Sequence, residues 1–351
     1  MTVNAACAGF RPDPEFDPGE VKAAAPIAGT PLTRIWASRP VRGPSAPIAT
    51  DTLNAYLGGS DRRVVAVDLR SGKTRWAHRV AGPLVGGVLV EGNVVYAATD
   101  RPEGKVHAFS TISGNEIWST GSGYTQAPLA LIGGKLIVIT RQGQILALDP
   151  SNGRVLWRRR STPGRTGAID VGGGSFMASS FDSLYLIRLS DGTVARRRRA
   201  SGTVVSPWIR VGDELVAATG DSLVIGIDPD SLTERWRVKL DGPLLNSPAS
   251  SGDTIYAVTQ SGSLNRLLPG ASPEVTQLRV SGWAATGAPA VYGPWLLVGA
   301  ADGTLRAFDR GSGMDAWSTV LGRPVELAPM LLPDSSMLVL GGRGDLQRIR
   351  Q

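Results

Sequence analysis

Apolar residues in this chain come in short runs, several of them alternating with polar ones, and Gly, Pro, Asn, Asp and Ser break the runs apart. Val64 to Val67 and Ile145 to Leu148 read as strands, as do Pro83 to Val90 followed by Asn93 to Ala98, and Ala127 to Ile132 followed by Lys135 to Thr140. Alternation over a few residues between turn signals is the pattern of half-buried β-structure. Two apolar runs precede each hairpin, so every repeat offers four short strands.

Tryptophan sets the period. Trp36, Trp76, Trp118, Trp157, Trp236 and Trp317 fall in one phase of about forty residues, and the double gaps, 79 and 81 residues long, place Arg196 and about Thr276 where a Trp is missing. The residues ahead of each Trp repeat as well: Ala66-x-Asp68-x-x-x-Gly72-x-x-x-Trp76, Ala147-x-Asp149-x-x-x-Gly153-x-x-x-Trp157, and Ala307-x-Asp309-x-x-x-Gly313-x-x-x-Trp317. The Trp118 copy has Ser110 in the Asp place, and the Trp236 copy keeps Asp228 but has Leu232 in the Gly place. Asp bonds its own backbone across a turn, Gly takes positive φ without steric cost, and Ala leaves room for a neighbour.

Four strands per forty residues predict an all-β, eight-bladed β-propeller with four antiparallel strands in each blade. A Trp on the fourth strand then buries its face between blades. After Trp317 only three strand candidates remain, near Leu327 to Leu331, Met337 to Leu340 and Asp345 to Ile349, while Leu32 to Trp36 carries a Trp in phase at the other end. The N-terminal strand is therefore expected to complete the last blade and remove an open sheet edge. Residues 1–30 are read as an arm without strand pattern, and 31–351 as a single propeller.

Composition changes this picture little. The 44 Gly and 24 Pro suit a fold full of turns, and no run of 18 apolar residues exists to span a membrane. The net charge of +7 gathers at Arg158, Arg159 and Arg160 and at Arg196, Arg197, Arg198 and Arg199. Both clusters fall on outermost strands, where basic residues discourage edge pairing; on neighbouring blades they also form a possible anion or partner surface. No nucleic-acid partner is expected, and a monomer is.

Cys7 is the one cysteine, so no internal disulfide forms. Ala5-Ala6-Cys7-Ala8-Gly9 resembles a bacterial lipoprotein cleavage site, although Asn4 replaces an aliphatic residue and only six residues precede the Cys. Cys7 is read either as a lipid anchor, with a tether of about 24 residues reaching roughly 80 Å at ~3.3 Å per residue, or as a free thiol in the arm. The histidines, His78 and His107, read as packed or surface residues on different blades, and no Cys or His spacing suits a metal. Gly172 to Gly174 reads as a turn between strands rather than a phosphate loop. Trp208, Trp283 and Trp295 stand out of phase near strand starts; they read as packed between blades, and the first two alternatively as an exposed partner surface.

From Leu32 to Arg350 the repeat resembles the tryptophan-docking motif of quinoprotein-like propellers. Two branches follow from that resemblance. Quinoprotein dehydrogenases hold pyrroloquinoline quinone and calcium over the ring centre, in longer domains with large insertions and commonly a pair of adjacent cysteines. The single Cys7 and the even repeats here depart from them, so no cofactor, catalytic residue or enzymatic activity is expected. The BamB family is similar in length, blade number and a Cys-bearing tether. That likeness implies a scaffold at the periplasmic face of the outer membrane, binding a BamA-like barrel and unfolded outer-membrane proteins. The family's longer partner-binding loops do not align, so no binding residue is carried over. A generic extracytoplasmic ligand-sensing or interaction propeller stays open as the alternative.

Overall fold

The apolar runs become strands. In the computed structural model, which describes residues 32–160, 166–244, 246–279 and 283–350, the chain forms eight four-stranded sheets of consecutive antiparallel strands and, among the described residues, no helix. Blade 1 spans 44–79, blade 2 84–121, blade 3 130–160, blade 4 168–199, blade 5 209–239, blade 6 249–279 and blade 7 290–320. Blade 8 combines 330–350 with the strand Thr33–Ser38, which pairs antiparallel with Leu346–Arg350 on its outer side. Ring closure by the N-terminal strand is as the sequence predicts.

The second and third strands of each blade carry the buried residues, as in Asn54–Gly59 and Arg63–Asp68. Fourth strands are largely exposed. The core is divided into eight apolar clusters rather than one, each built from two adjacent blades. The cluster of Ile137, Ala147 and Trp157 with Phe176 and Ile187 joins blades 3 and 4. That of Leu57 and Val65 with Leu338 and Leu346 closes the ring between blades 1 and 8. A chain beyond the size of one ordinary core thus buries its apolar surface as a circle of thin interfaces.

The Asp of the repeat shapes the hairpin between third and fourth strands. Asp68 accepts from the Ser71 backbone N–H at 2.8 Å and the Ser71 hydroxyl at 2.9 Å, and Gly72 N–H returns to the Asp68 carbonyl at 2.8 Å. Asp149, Asp228 and Asp309 accept in the same turn from Ser151, Ser231 and Ser312. Arg75 beside Asp68 holds that carboxyl down to about 2; the Ser231 N–H and Arg235 do the same for Asp228, and Ser336 with Arg348 for Asp334. Folded values below the ordinary carboxylate value near 3.9 mean the native state binds these protons less tightly than the unfolded chain. Their stabilisation is complete above about pH 4 and is lost as pH falls towards about 2. Replacing all three by Asn should lower the denaturation midpoint at pH 7 and flatten its pH dependence between 4 and 2. An unchanged pH profile would refute that account.

Candidate interaction surfaces

The tryptophans face the neighbouring blade. Trp36 Nε1 donates to the Leu69 carbonyl at 2.7 Å, Trp76 to Thr111 at 2.9 Å, Trp118 to Pro150 at 3.0 Å and Trp157 to Leu189 at 3.0 Å. Each acceptor follows the Asp, Ser or Arg that starts the next blade's turn, and the indole lies flat over that turn. Only glycine fits beneath it. A Cβ on Gly72, Gly114, Gly153 or Gly192 would stand 2.4–2.6 Å from an indole atom, and each has φ between 70 and 74°. Where Arg196 replaces the Trp of blade 4, the next blade has Leu232 in the glycine place, also at positive φ (58°) and 1% exposed. The two changes belong together, because no indole lies over that turn to exclude a side chain, and Leu232 packs into the apolar cluster of blades 4 and 5.

Trp236 departs from its expected docking role. It lies across Gly226 of its own blade, and Nε1 donates to Glu214 at 2.5 Å. Thr276 does occupy a Trp place, opposite Arg266 as Trp317 is opposite Ala307. Leu278 covers Gly313 in its stead. Trp317, 3% exposed, packs with Ile349 and Leu32 across the last junction, where no further turn awaits it.

Arg158, Arg159 and Arg160 lie on the outer strand Val155–Arg160, and Arg196 to Arg199 on Val194–Arg199, every one of them exposed. Successive side chains point to alternate sides. Arg158 donates to the Gly121 carbonyl of blade 2 at 3.2 Å, while Arg159 leans over Gly192 of blade 4. Arg197 stacks 5.5 Å above the Tyr185 ring and bonds Ser183 at 3.2 Å; Arg199 pairs with Asp182 at 3.3 Å. That is the one ion pair recorded for the seven among the described residues. The two clusters are brought side by side on the outer wall of blades 3 and 4.

Trp208 and Trp283 do not form an exposed surface. Trp208 is 7% exposed, packed between Met177 and Leu184 of blade 4 and Leu215 and Ile225 of blade 5, with Nε1 bonded to Ser179 at 3.0 Å. Trp283, 9% exposed, stacks on Phe308 at 5.9 Å beneath the Arg306 guanidinium. Burying an indole between blades releases far more apolar area from water than a loop position provides. Trp295, half-buried, packs edge-on against Trp317. The two histidines, read separately in the sequence, meet across blades 1 and 2. Buried His107 lies 3.2 Å from Glu103 and 3.6 Å from Glu116, and Glu116 is 3.9 Å from His78. Cys7 lies outside the described residues.

Pro47, Pro128, Gly167, Ile169, Pro207 and Trp208 line a cavity of about 360 Å³. Blades 1, 3, 4 and 5 contribute, and blades 1 and 5 are opposite in a ring of eight, so the cavity lies on the axis. Proline at an innermost strand suits an edge whose N–H groups have no ladder partner.

A closed ring of eight four-stranded blades, held by indole-on-glycine docking, is a propeller of the quinoprotein-like class. A family model described as outer membrane protein assembly factor BamB matches residues 18–202, 143–282 and 211–348. The chain belongs to that family. It is 25% identical over 232 residues to the BamB of Burkholderia pseudomallei, covering 60% of this chain and 59% of that one. It is also 31% identical over 165 residues to the quinoprotein alcohol dehydrogenase PedH of Pseudomonas putida, covering 39% of this chain and 27% of the relative. These alignments thus span less than two thirds of either relative. The crystal structure of BamB from Moraxella catarrhalis superposes with a TM-score of 0.76 at 16% identity, covering 91% of this chain and all of that one. At that identity the likeness concerns the fold.

The dehydrogenase likeness raises pyrroloquinoline quinone and calcium over the ring centre. The lining of this cavity, contributed by blades 1, 3, 4 and 5, is proline, glycine, alanine, isoleucine and tryptophan with the single hydroxyl of Thr166. Calcium needs six to eight oxygen ligands, chiefly carboxylates and carbonyls, and the anionic quinone needs cationic partners. This lining does not fit them.

Proposed function

We propose that this protein is a non-catalytic scaffold that assists assembly of β-barrel outer-membrane proteins, with a BamA-like barrel as partner and unfolded barrel precursors as cargo. The observation that carries this reading is the family match, which runs in overlapping pieces from residue 18 to 348 and so takes in the whole ring. Its proposed location is the periplasmic face of the outer membrane, with Cys7 lipidated as the anchor. Affinity purification of the full chain from native envelope, followed by mass spectrometry, should recover a BamA-like barrel and a diacylated Cys7 peptide. Recovery of no such barrel would reject the assembly role.

The arginine wall of blades 3 and 4 is the proposed docking surface for an anionic partner. Charge there acts mainly on encounter rate and salt dependence. Changing Arg158, Arg159, Arg160, Arg196 and Arg198 to Ser should slow capture of the barrel partner roughly tenfold at low salt and less at high salt. The melting temperature should hold, because exposed substitutions usually stay within about 0.5 kcal/mol. Unaltered capture at low salt would remove the wall from the interface.

A further inference from the structure

The ladder breaks at the junction of blades 6 and 7 in a way that leaves space. The cross-strand row through the docking indole reads Tyr56, Ala66, Trp76 in blade 1 and Tyr96, Ala108, Trp118 in blade 2. In both, the Tyr ring is centred 5.9 Å from the indole, which spans to Thr111 or Pro150 of the next blade. In blade 6 the same row reads Tyr256, Arg266, Thr276. Bulk has moved from the fourth strand to the third, and a guanidinium on a thin stem replaces a flat bicyclic ring. The result is an open cavity of about 550 Å³ between Tyr256, Arg266 and Ser251 on one side and Pro294, Arg310 and Gly311 on the other. Arg310 follows Asp309 as Thr111 follows Ser110 and Pro150 follows Asp149, so the cavity opens beside the residue that an indole Nε1 reaches elsewhere, while Leu278 fills the ring's place over Gly313.

Its two guanidinium groups outnumber its one carboxylate. Arg266 Nη1 donates to the Gly311 carbonyl at 3.3 Å, but Arg266 Nε is buried with no partner. Arg310 Nη1 donates to Ser251 Oγ at 2.7 Å, and a guanidinium has five N–H donors, leaving others to bind an anion. The lining carboxylate, Asp309, accepts on Oδ1 from the N–H groups of Gly311 and Ser312 and the Ser312 hydroxyl, at 3.1, 2.8 and 2.8 Å, which turns that oxygen towards its own hairpin.

We propose that this junction binds an aromatic carboxylate, its ring between Tyr256 and Pro294 and its carboxylate on Arg266 and Arg310. The source is either a free aromatic acid or an aromatic residue at a peptide C-terminus, and both present the same chemistry. This site is independent of the assembly role and is tested on the purified full chain without any envelope partner. By titration calorimetry, N-acetyl-tryptophan should bind with Kd on the order of 0.1–1 mM, reasonable for a ligand of its size. N-acetyl-tryptophanamide, lacking the carboxylate, should bind at least about tenfold more weakly, as should N-acetyl-tryptophan to Arg310→Ser. The double change Arg266→Ala, Thr276→Trp rewrites the row as in blade 1 and should abolish binding. A peptide ending in Trp that binds tenfold tighter than N-acetyl-tryptophan identifies a chain terminus as the source, and equal binding a free acid. Equal affinity for acid and amide, no binding of either, or binding untouched by Arg310→Ser, overturns the proposal; the last comparison stands even if the double variant fails to fold.

Discussion

Deleting residues 1–38 should destabilise the protein by at least about 5 kcal/mol, because Trp→Ala alone at a packed site costs about 3–5 kcal/mol and the deletion removes a whole strand besides. The strand Thr33–Ser38 pairs with Leu346–Arg350 through Thr33 to Arg350, Trp36 to Arg348 and Ser38 to Leu346. Trp36 lies over Gly72 with its Nε1 on the Leu69 carbonyl, and Arg348 bonds that same carbonyl at 2.6 Å. Without the strand, blade 8 keeps three strands, Leu346–Arg350 becomes an exposed edge, and the junction with blade 1 loses its indole. Urea denaturation should show an early, broadened transition, and Trp36→Ala should produce a smaller part of the same loss. A truncated chain with the midpoint of the full one would show that the ring does not depend on this closure.

That closure was legible because period is the strongest signal a repeat protein carries. Trp36 in phase at one end and three strands left over at the other admit one economical solution. The vacant Trp places at Arg196 and Thr276 followed from the same count, and the register puts both residues there. Leu232 was visible as a departure from the motif, but its cause was not, since the missing indole belongs to the preceding blade. Trp208 and Trp283 stayed open between inter-blade packing and an exposed surface for a related reason. Their Ser-Pro and Ser-Gly contexts look like loops, whereas burial is decided by the neighbouring blade's face, which a single repeat does not encode. The meeting of His78, Glu116 and His107 is another such case: residues 29 apart in sequence meet only because adjacent blades twist past each other. The cavity at blades 6 and 7 needed the register too, for exchanging Ala and Trp for Arg and Thr is one event only once Arg266 is known to face Thr276.

The docking of indole on glycine makes a sharper prediction than either residue alone. Trp157→Ala should cost about 3–5 kcal/mol, since it empties a space packed by Phe176 and Ile187 and leaves the Leu189 carbonyl without its donor. Gly192→Ala should cost a similar amount for a different reason. At φ 74° an alanine pays about 1–2 kcal/mol for the left-handed conformation, and its methyl would stand 2.6 Å from two Trp157 ring atoms and 2.9 Å from Arg159 Cγ. The backbone part of that cost is intrinsic to residue 192, but the steric part exists only while the ring is present. The double variant should therefore be more stable than the sum of the singles predicts, by about 1–2 kcal/mol, within the coupling found for residues in contact. The same pair of changes made as Arg196→Trp with Leu232→Gly runs the argument in reverse: the tryptophan alone should destabilise, because Leu232 fills the place beneath it, and adding the glycine should recover the loss. Strict additivity in both cycles, measured by equilibrium denaturation, would mean that indole and glycine are independent features of the repeat rather than one joint.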